Sequence, residues 1–93
     1  MIKSFGDKES ERLFLSGKAR RLPSEIVKTA LRKLDYLNAA VSLEDLRVPS
    51  GNRLEALKGD RKGYWSIRIN QQYRVVFRFE NGHAYEVSVV DYH

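Results

Sequence analysis

Across residues 64–79 an apolar side chain returns on every second position. Trp65, Ile67 and Ile69 share one parity, and Tyr73, Val75, Phe77 and Phe79 share one in the next segment. A helix would scatter these residues around its circumference, so the period belongs to half-buried strands. Asn70-Gln71-Gln72 separates the two segments. Asn81-Gly82 follows Phe79, and Asn-Gly between alternating segments is the strongest short hairpin signal. A third segment, 84–90, puts Tyr85, Val87 and Val89 on one face. Three strands joined by tight turns make an antiparallel meander. The opposite faces carry Ser66, Arg68 and Asn70, then Arg74, Val76 and Arg78. The sheet is therefore expected to hold an apolar floor against a core and to lift a row of arginines toward solvent. Such a face suits phosphates.

The first half of the chain reads as helices. Residues 1–5 form a short strand, broken by Gly6-Asp7. Asp7 caps a helix over residues 8–16, with Glu9 and Glu11 in the favourable first turn and Gly17 just past its end. Lys18-Ala19-Arg20-Arg21 is a basic connector. Leu22-Pro23-Ser24-Glu25 opens the main helix, whose core stripe is Ile26, Val27, Ala30, Leu31, Leu34 and Leu37. Lys28, Arg32, Lys33 and Asp35 fall on the other side, and Lys28 and Lys33 read as a solvated face. Ser42 and Asp45 have capping-box spacing. Residues 47–52 form a loop too short to separate domains, Leu54, Ala56 and Leu57 a brief strand, and residues 58–63 a turn bounded by two glycines. Helices followed by a meander give an α+β class, with the helices packed on a small twisted antiparallel sheet. A chain of 93 residues is expected to be one domain, spanning 1–93.

Charge narrows the function. The formal net charge is +5, which attracts polyanions. Between positions 53 and 78 the basic residues are Arg53, Lys58, Arg61, Lys62, Arg68, Arg74 and Arg78, against only Glu55 and Asp60. Tyr64, Trp65 and Tyr73 are interleaved with them, and Trp65 and Tyr73 have core parity. Basic groups neutralise phosphates, and aromatic faces stack unpaired bases. With no cysteine, disulfide frameworks and thiolate metal sites are excluded. His83, in a hairpin turn, and His93 have no neighbours at ligand spacing, and no phosphate loop or nucleophile elbow is present, so no metal and no cofactor is expected. With neither an apolar run of membrane-spanning length nor a signal sequence, the expected place is the cytoplasm.

RNA chemistry needs no metal. The 2′-hydroxyl attacks the adjacent phosphate once a base removes its proton, an acid protonates the leaving 5′-oxygen, and cations hold the phosphoryl charge. Glu55, Asp91, Tyr92 and His93 are candidates for proton transfer, and Lys58 and Arg74 for charge. Arg53, Arg61, Lys62, Arg68 and Arg78 are candidates for binding RNA. Asp91 has the parity of the stripe Tyr85, Val87, Val89, so a regular strand points it inward and Tyr92 outward. A bulge could re-aim it, or it could serve as a structural acceptor that pins the C-terminus.

Three segments together resemble the HigB (host-inhibition-of-growth) branch of the RelE-like toxins: residues 57–68 with the Lys58-Gly59-Asp60-Arg61 turn, the Tyr73-Arg74-Val75-Val76-Phe77 strand, and Asp91-Tyr92-His93. The opening Met1-Ile2-Lys3-Ser4-Phe5 and the Arg53-Leu54-Glu55-Ala56-Leu57 segment fit as well. The resemblance implies a RelE-like toxin fold and a ribosome-dependent endoribonuclease (an mRNA interferase) that cuts translated mRNA in the 30S A site and arrests growth. It implies a HigA-type helix-turn-helix antitoxin as partner, and operator DNA only through that antitoxin. Arg74 would stabilise the phosphoryl transition state, with Lys58 assisting. Asp91 and His93 would share proton transfer, and Tyr92 would orient or stack on the nucleotide. Some members of this branch carry histidine where this chain has Glu55. A carboxyl group ordinarily has a pKa of ~4.3 against ~6.5 for imidazole, which suits a base and shifts the donor role toward His93. A non-catalytic RNA- or ribosome-binding module of the same fold is the other reading.

Overall fold

The computed structural model describes residues 1–92. Helix α1 spans Lys8–Ser16. Asp7 caps it, its Oδ1 accepting from the Ser10 amide at 2.7 Å. Gly17 closes it at φ 75, donating its N–H to the Leu13 carbonyl, and the missing Cβ makes that left-handed cap inexpensive. Helix α2 spans Ser24–Ala39, entered through Pro23. Short 3₁₀ turns at Leu43–Arg47 and Ser50–Asn52 lead to the sheet. The expected capping box is present, with the Asp45 carboxylate accepting from the Ser42 amide at 3.2 Å.

The sheet follows as β1 (Glu55–Ala56), β2 (Trp65–Arg68), β3 (Tyr73–Glu80) and β4 (His83–Asp91). Its strands lie in sequence order, all antiparallel. Asn81 at φ 51 and Gly82 at φ 82 form the β3–β4 turn, where both central residues need positive φ. Ile2 and Phe5 bridge in parallel to Ala84 and Val87, so the opening segment is an edge of isolated bridges rather than a full strand.

The helices cover one face. Leu13, Ala30, Leu34, Leu37, Ile67, Val75, Phe77 and Val87 are fully buried in one cluster, with Trp65 and Tyr73 packed against it. Truncating Leu34 or Phe77 to alanine would cost about 2–5 kcal/mol.

Four expectations need correction. First, the second face is not open. Ser66 is 0% and Val76 2% exposed, because Leu57, itself buried, shares their face, and the turn bearing Asp60, Arg61 and Tyr64 lines a groove over Val76 and Ser88. The arginines of that face are partly buried and partnered. Second, Tyr85 is not in the core stripe. Glu86 adopts φ 52, and the register slips between Val76 and Arg78. This bulge turns Tyr85 to the Arg78 side and leaves Ala84, Val87 and Val89 on the core side. Third, Lys33 is only 6% exposed. Its spacing from Ile26, Ala30 and Leu37 places it on the inward stripe. Fourth, His83 opens β4, paired with Glu80, instead of sitting in the turn.

Candidate functional site

Arg74 sits on β3 between Arg68 of β2 and Val90 of β4. Its side chain is 11% exposed. Nη2 donates to the Arg53 carbonyl at 2.6 Å. Nη1 lies 3.7 Å from Glu55 Oε2, and the guanidinium carbon lies 5.5 Å from the centroid of the Tyr92 ring. Its Nε is buried and without a partner among the described residues. The planar cation is thus held on one edge by a neutral carbonyl and on one face by an aromatic ring.

Each neighbour arrives for a local reason. Arg53 has φ 47 and ψ 57, a left-handed conformation that costs a non-glycine residue about 1–2 kcal/mol. That twist aims its carbonyl at Arg74. Glu55 is in β1, opposite Ser66, on the same sheet face as Arg74. Tyr92 lies just past β4. Its amide donates to the Gln72 carbonyl at 2.6 Å, which fastens the chain end to the β2–β3 turn. Asp91 is paired across from Tyr73, on the parity the regular strand predicted, because the bulge lies upstream of Val87. Its Oδ2 accepts from Gln72 Nε2 at 3.0 Å, and the end of the sheet leaves it exposed.

Arg53, Glu55, Arg68, Asn70, Gln71, Arg74 and Tyr92 line one groove of about 440 Å³. Lys58 stands at the rim of an adjoining hollow lined by Glu55, Leu57 and Tyr92. The fold therefore gathers Glu55, Lys58, Arg74 and Tyr92 with Arg53 and Arg68. Arg61 lines the neighbouring groove with Tyr64 and Ser88, and Lys62 is exposed in the turn. Arg78 is elsewhere: its Nε donates to Glu86 at 2.6 Å and its Nη1 to Glu80 at 2.8 Å. The Arg78 hydrogen bond holds the Glu86 carboxyl below its ordinary range. His93 lies outside the described residues.

Asn70 and Gln72 support the site without being singled out by the sequence. Asn70 Oδ1 accepts from the amides of Gln72 and Tyr73, and Gln72 holds both Asp91 and Tyr92. The available signal was the Asn at the start of a tight turn, which bonds its own backbone. Among the described residues no cluster of His, Asp, Glu or Cys could hold a metal ion. Nor is any described helix long and apolar enough to cross a membrane.

The chain has clear relatives. The family of RelE-like toxins of the type II toxin-antitoxin system HigB matches residues 3–93. Toxin HigB-1 of Vibrio cholerae is 46% identical over 85 residues, 90% of each chain. Endoribonuclease HigB of Proteus vulgaris is 38% identical over 93 residues, the full length of both. In fold, the chain is similar to YoeB in the heterotetrameric YoeB-YefM toxin-antitoxin complex of Staphylococcus aureus, with a TM-score of 0.63 at 19% identity over 100% of this chain and 95% of that one. A YafQ mutant of E. coli gives 0.60 at 19% identity over 98% and 91%. The first two relatives and the family match establish kinship, and the structural pair, at their low identity, establish the fold: this chain belongs to the HigB-like toxins, the RelE-like toxins of type II toxin-antitoxin systems.

Proposed function

We propose that this toxin is an endoribonuclease that cuts translated mRNA in the ribosomal A site without a metal ion. The observation that carries the reading is Arg74, a partly buried guanidinium held by a neutral carbonyl inside an arginine-lined groove. A cation anchored this way keeps its charge for an incoming phosphoryl oxygen. The Proteus vulgaris relative is named an endoribonuclease, which supports the same chemistry.

In the proposed reaction Glu55, in the same groove, takes the proton of the 2′-hydroxyl. The O2′–P bond forms as the P–O5′ bond breaks, leaving a 2′,3′-cyclic phosphate and a 5′-hydroxyl. Asp91 and His93 share delivery of a proton to the departing 5′-oxygen. Arg74, assisted by Lys58, holds the charge on the phosphoryl oxygens, and Tyr92 orients the nucleotide. Arg53 and Arg68 bind flanking phosphates. Arg61 and Lys62 extend the basic surface toward ribosomal RNA, whereas Arg78, expected from the sequence to bind RNA, has its charge engaged by Glu86 and Glu80. The antitoxin is of HigA type, operator DNA is reached only through it, and the protein acts in the cytoplasm.

Primer extension on mRNA bound to programmed ribosomes, beside the same RNA free in solution, tests this. Cuts on the ribosome alone, lost with Arg74→Ala, are the expected result. One observation favours a second reading: the Glu55 carboxylate stands 3.7 Å from Arg74, where an incoming phosphate would compete with it. Ribosome binding without cleavage in either arm would make the chain a non-catalytic RNA-binding module.

A further inference from the structure

Lys33 is a buried cation that the cleavage chemistry leaves unused. It occupies the inward stripe of α2, where leucine or methionine would pack without a desolvation cost. Its Nζ donates to Asn52 Oδ1 at 2.6 Å and lies 5.7 Å from the Tyr36 ring centroid. Burial, then the charges of Arg32 and Arg68, push its pKa down. Among the described residues it makes no ion pair. A buried ammonium kept under those conditions has its purpose in its acceptor.

Asn52 is fully buried. Its Nδ2 donates to the Leu46 carbonyl at 3.1 Å and lies 3.4 Å from that of Val48. Its backbone amide donates to the Pro49 carbonyl at 3.0 Å. The side chain thus ties the two 3₁₀ turns together. The next residue is Arg53, whose left-handed backbone presents the carbonyl that receives Arg74 Nη2.

We infer that Lys33 and Asn52 are positioning residues for Arg74: they clamp the loop so that the Arg53 carbonyl stays aimed at the guanidinium. The inference rests on the proposed role of Arg74. It assigns to a lysine on the helical face the orientation of an arginine on the far side of the sheet. A misplacement of ~1 Å in such a group can cost up to ~100-fold in rate.

Two variants test it. Lys33→Met keeps the stem volume and both Asn52 donors. Asn52→Asp keeps an acceptor for Lys33 and adds an ion pair but turns an oxygen onto the Leu46 and Val48 carbonyls, so a thermal melt of each variant fixes the folded fraction to which its cleavage is normalised. Single-turnover cleavage on programmed ribosomes should slow about tenfold in each, a partial form of the misplacement penalty. The toxin concentration giving half the maximal rate should rise by less than the rate falls, since Lys58 and Arg68 keep their places and only Arg53 moves with the loop. In the free protein, the ¹⁵N signal of the Arg74 side-chain Nε–H, assigned through Arg74→Lys, should shift and exchange faster in both variants. An unmoved Arg74 signal in a folded variant, or a cleavage loss no larger than the unfolded fraction, overturns the inference. Should wild type cut nothing, the nuclease reading fails by itself, and the Arg74 signal alone still decides the positioning.

Discussion

Arg74 and Arg78 lie on the same strand and the same face, about 13 Å apart at ~3.3 Å per residue, yet their surroundings differ. Arg78 is the more exposed, at 32% against 11%, and its charge is spent on Glu86 and Glu80. Arg74 is the more buried, and its nearest acceptor is an uncharged carbonyl. Among the described residues its carboxylate neighbour is Glu55, at 3.7 Å and 54% exposed, a contact of little strength that can open toward water. What makes an arginine available to a phosphate is the charge of its anchor, not its exposure. A carboxylate clamp holds the side chain by cancelling it, whereas a carbonyl holds the side chain and leaves the charge.

The largest expected effect tests that contrast directly. Arg74→Ala should lower ribosome-bound cleavage by about 10²–10³-fold, the usual loss when a transition-state donor is removed. Arg78→Ala should lower it by less than about tenfold in the same single-turnover assay, as expected of a cation engaged elsewhere. Equal losses would end the distinction.

A second comparison separates anchor from side chain at position 53. Arg53→Gly and Arg53→Val both remove the guanidinium, but only valine is strained at φ 47. The glycine variant should cleave several-fold faster than the valine variant, since a shift of the carbonyl by a fraction of an ångström already costs rate. Equal rates would mean that the carbonyl does not place Arg74.

A third would convert one arginine into the other. Glu80→Gln with Glu86→Gln frees Arg78 from both carboxylates. RNA affinity should rise, and the slope of log affinity against log salt should steepen by about 0.7–0.9 for one added phosphate contact. An unchanged slope would show that Arg78 lies off the RNA path.

The smallest effect is on acid stability. The folded Glu86 carboxyl titrates below its ordinary value of 4.5, chiefly through its Arg78 hydrogen bond. Its stabilising contribution is therefore complete above that pH and disappears as pH falls through the depressed value. Glu86→Gln should flatten the acid limb of a thermal-melt series below about 4.5. Because Glu86 is 48% exposed, the shift should be slight. A wild-type acid limb in the variant would remove Glu86 as its source.

Much of the architecture was legible because its causes are local. Asp7 and Gly17 bracket α1, the Ser42–Asp45 box opens the first 3₁₀ turn, and Asn81-Gly82 turns the last hairpin. Each rests on residues within a few positions of one another. The strand period around Phe77 came from the pleat itself. The bulge at Glu86 did not, since a glutamate carries no preference for left-handed backbone, and the misplaced Tyr85 followed from it. Lys33 is buried because its spacing from Ile26, Ala30 and Leu37, and not its charge, sets the side of α2 it occupies. The residues that gather at the groove stand out by their chemistry and by family resemblance, whereas the anchors Asn70 and Gln72 look like ordinary turn residues in the sequence.

The sequence by itself determined the two helices, the antiparallel meander of β2, β3 and β4, and that Arg74 and Tyr92 would face away from the helices. Only the tertiary structure decided which arginine keeps its charge. Arg74 meets the Arg53 carbonyl across 21 positions, and Lys33 meets Asn52 across 19. Whether a partner at that separation is a carbonyl or a carboxylate depends on strand register and loop backbone. No local propensity encodes either.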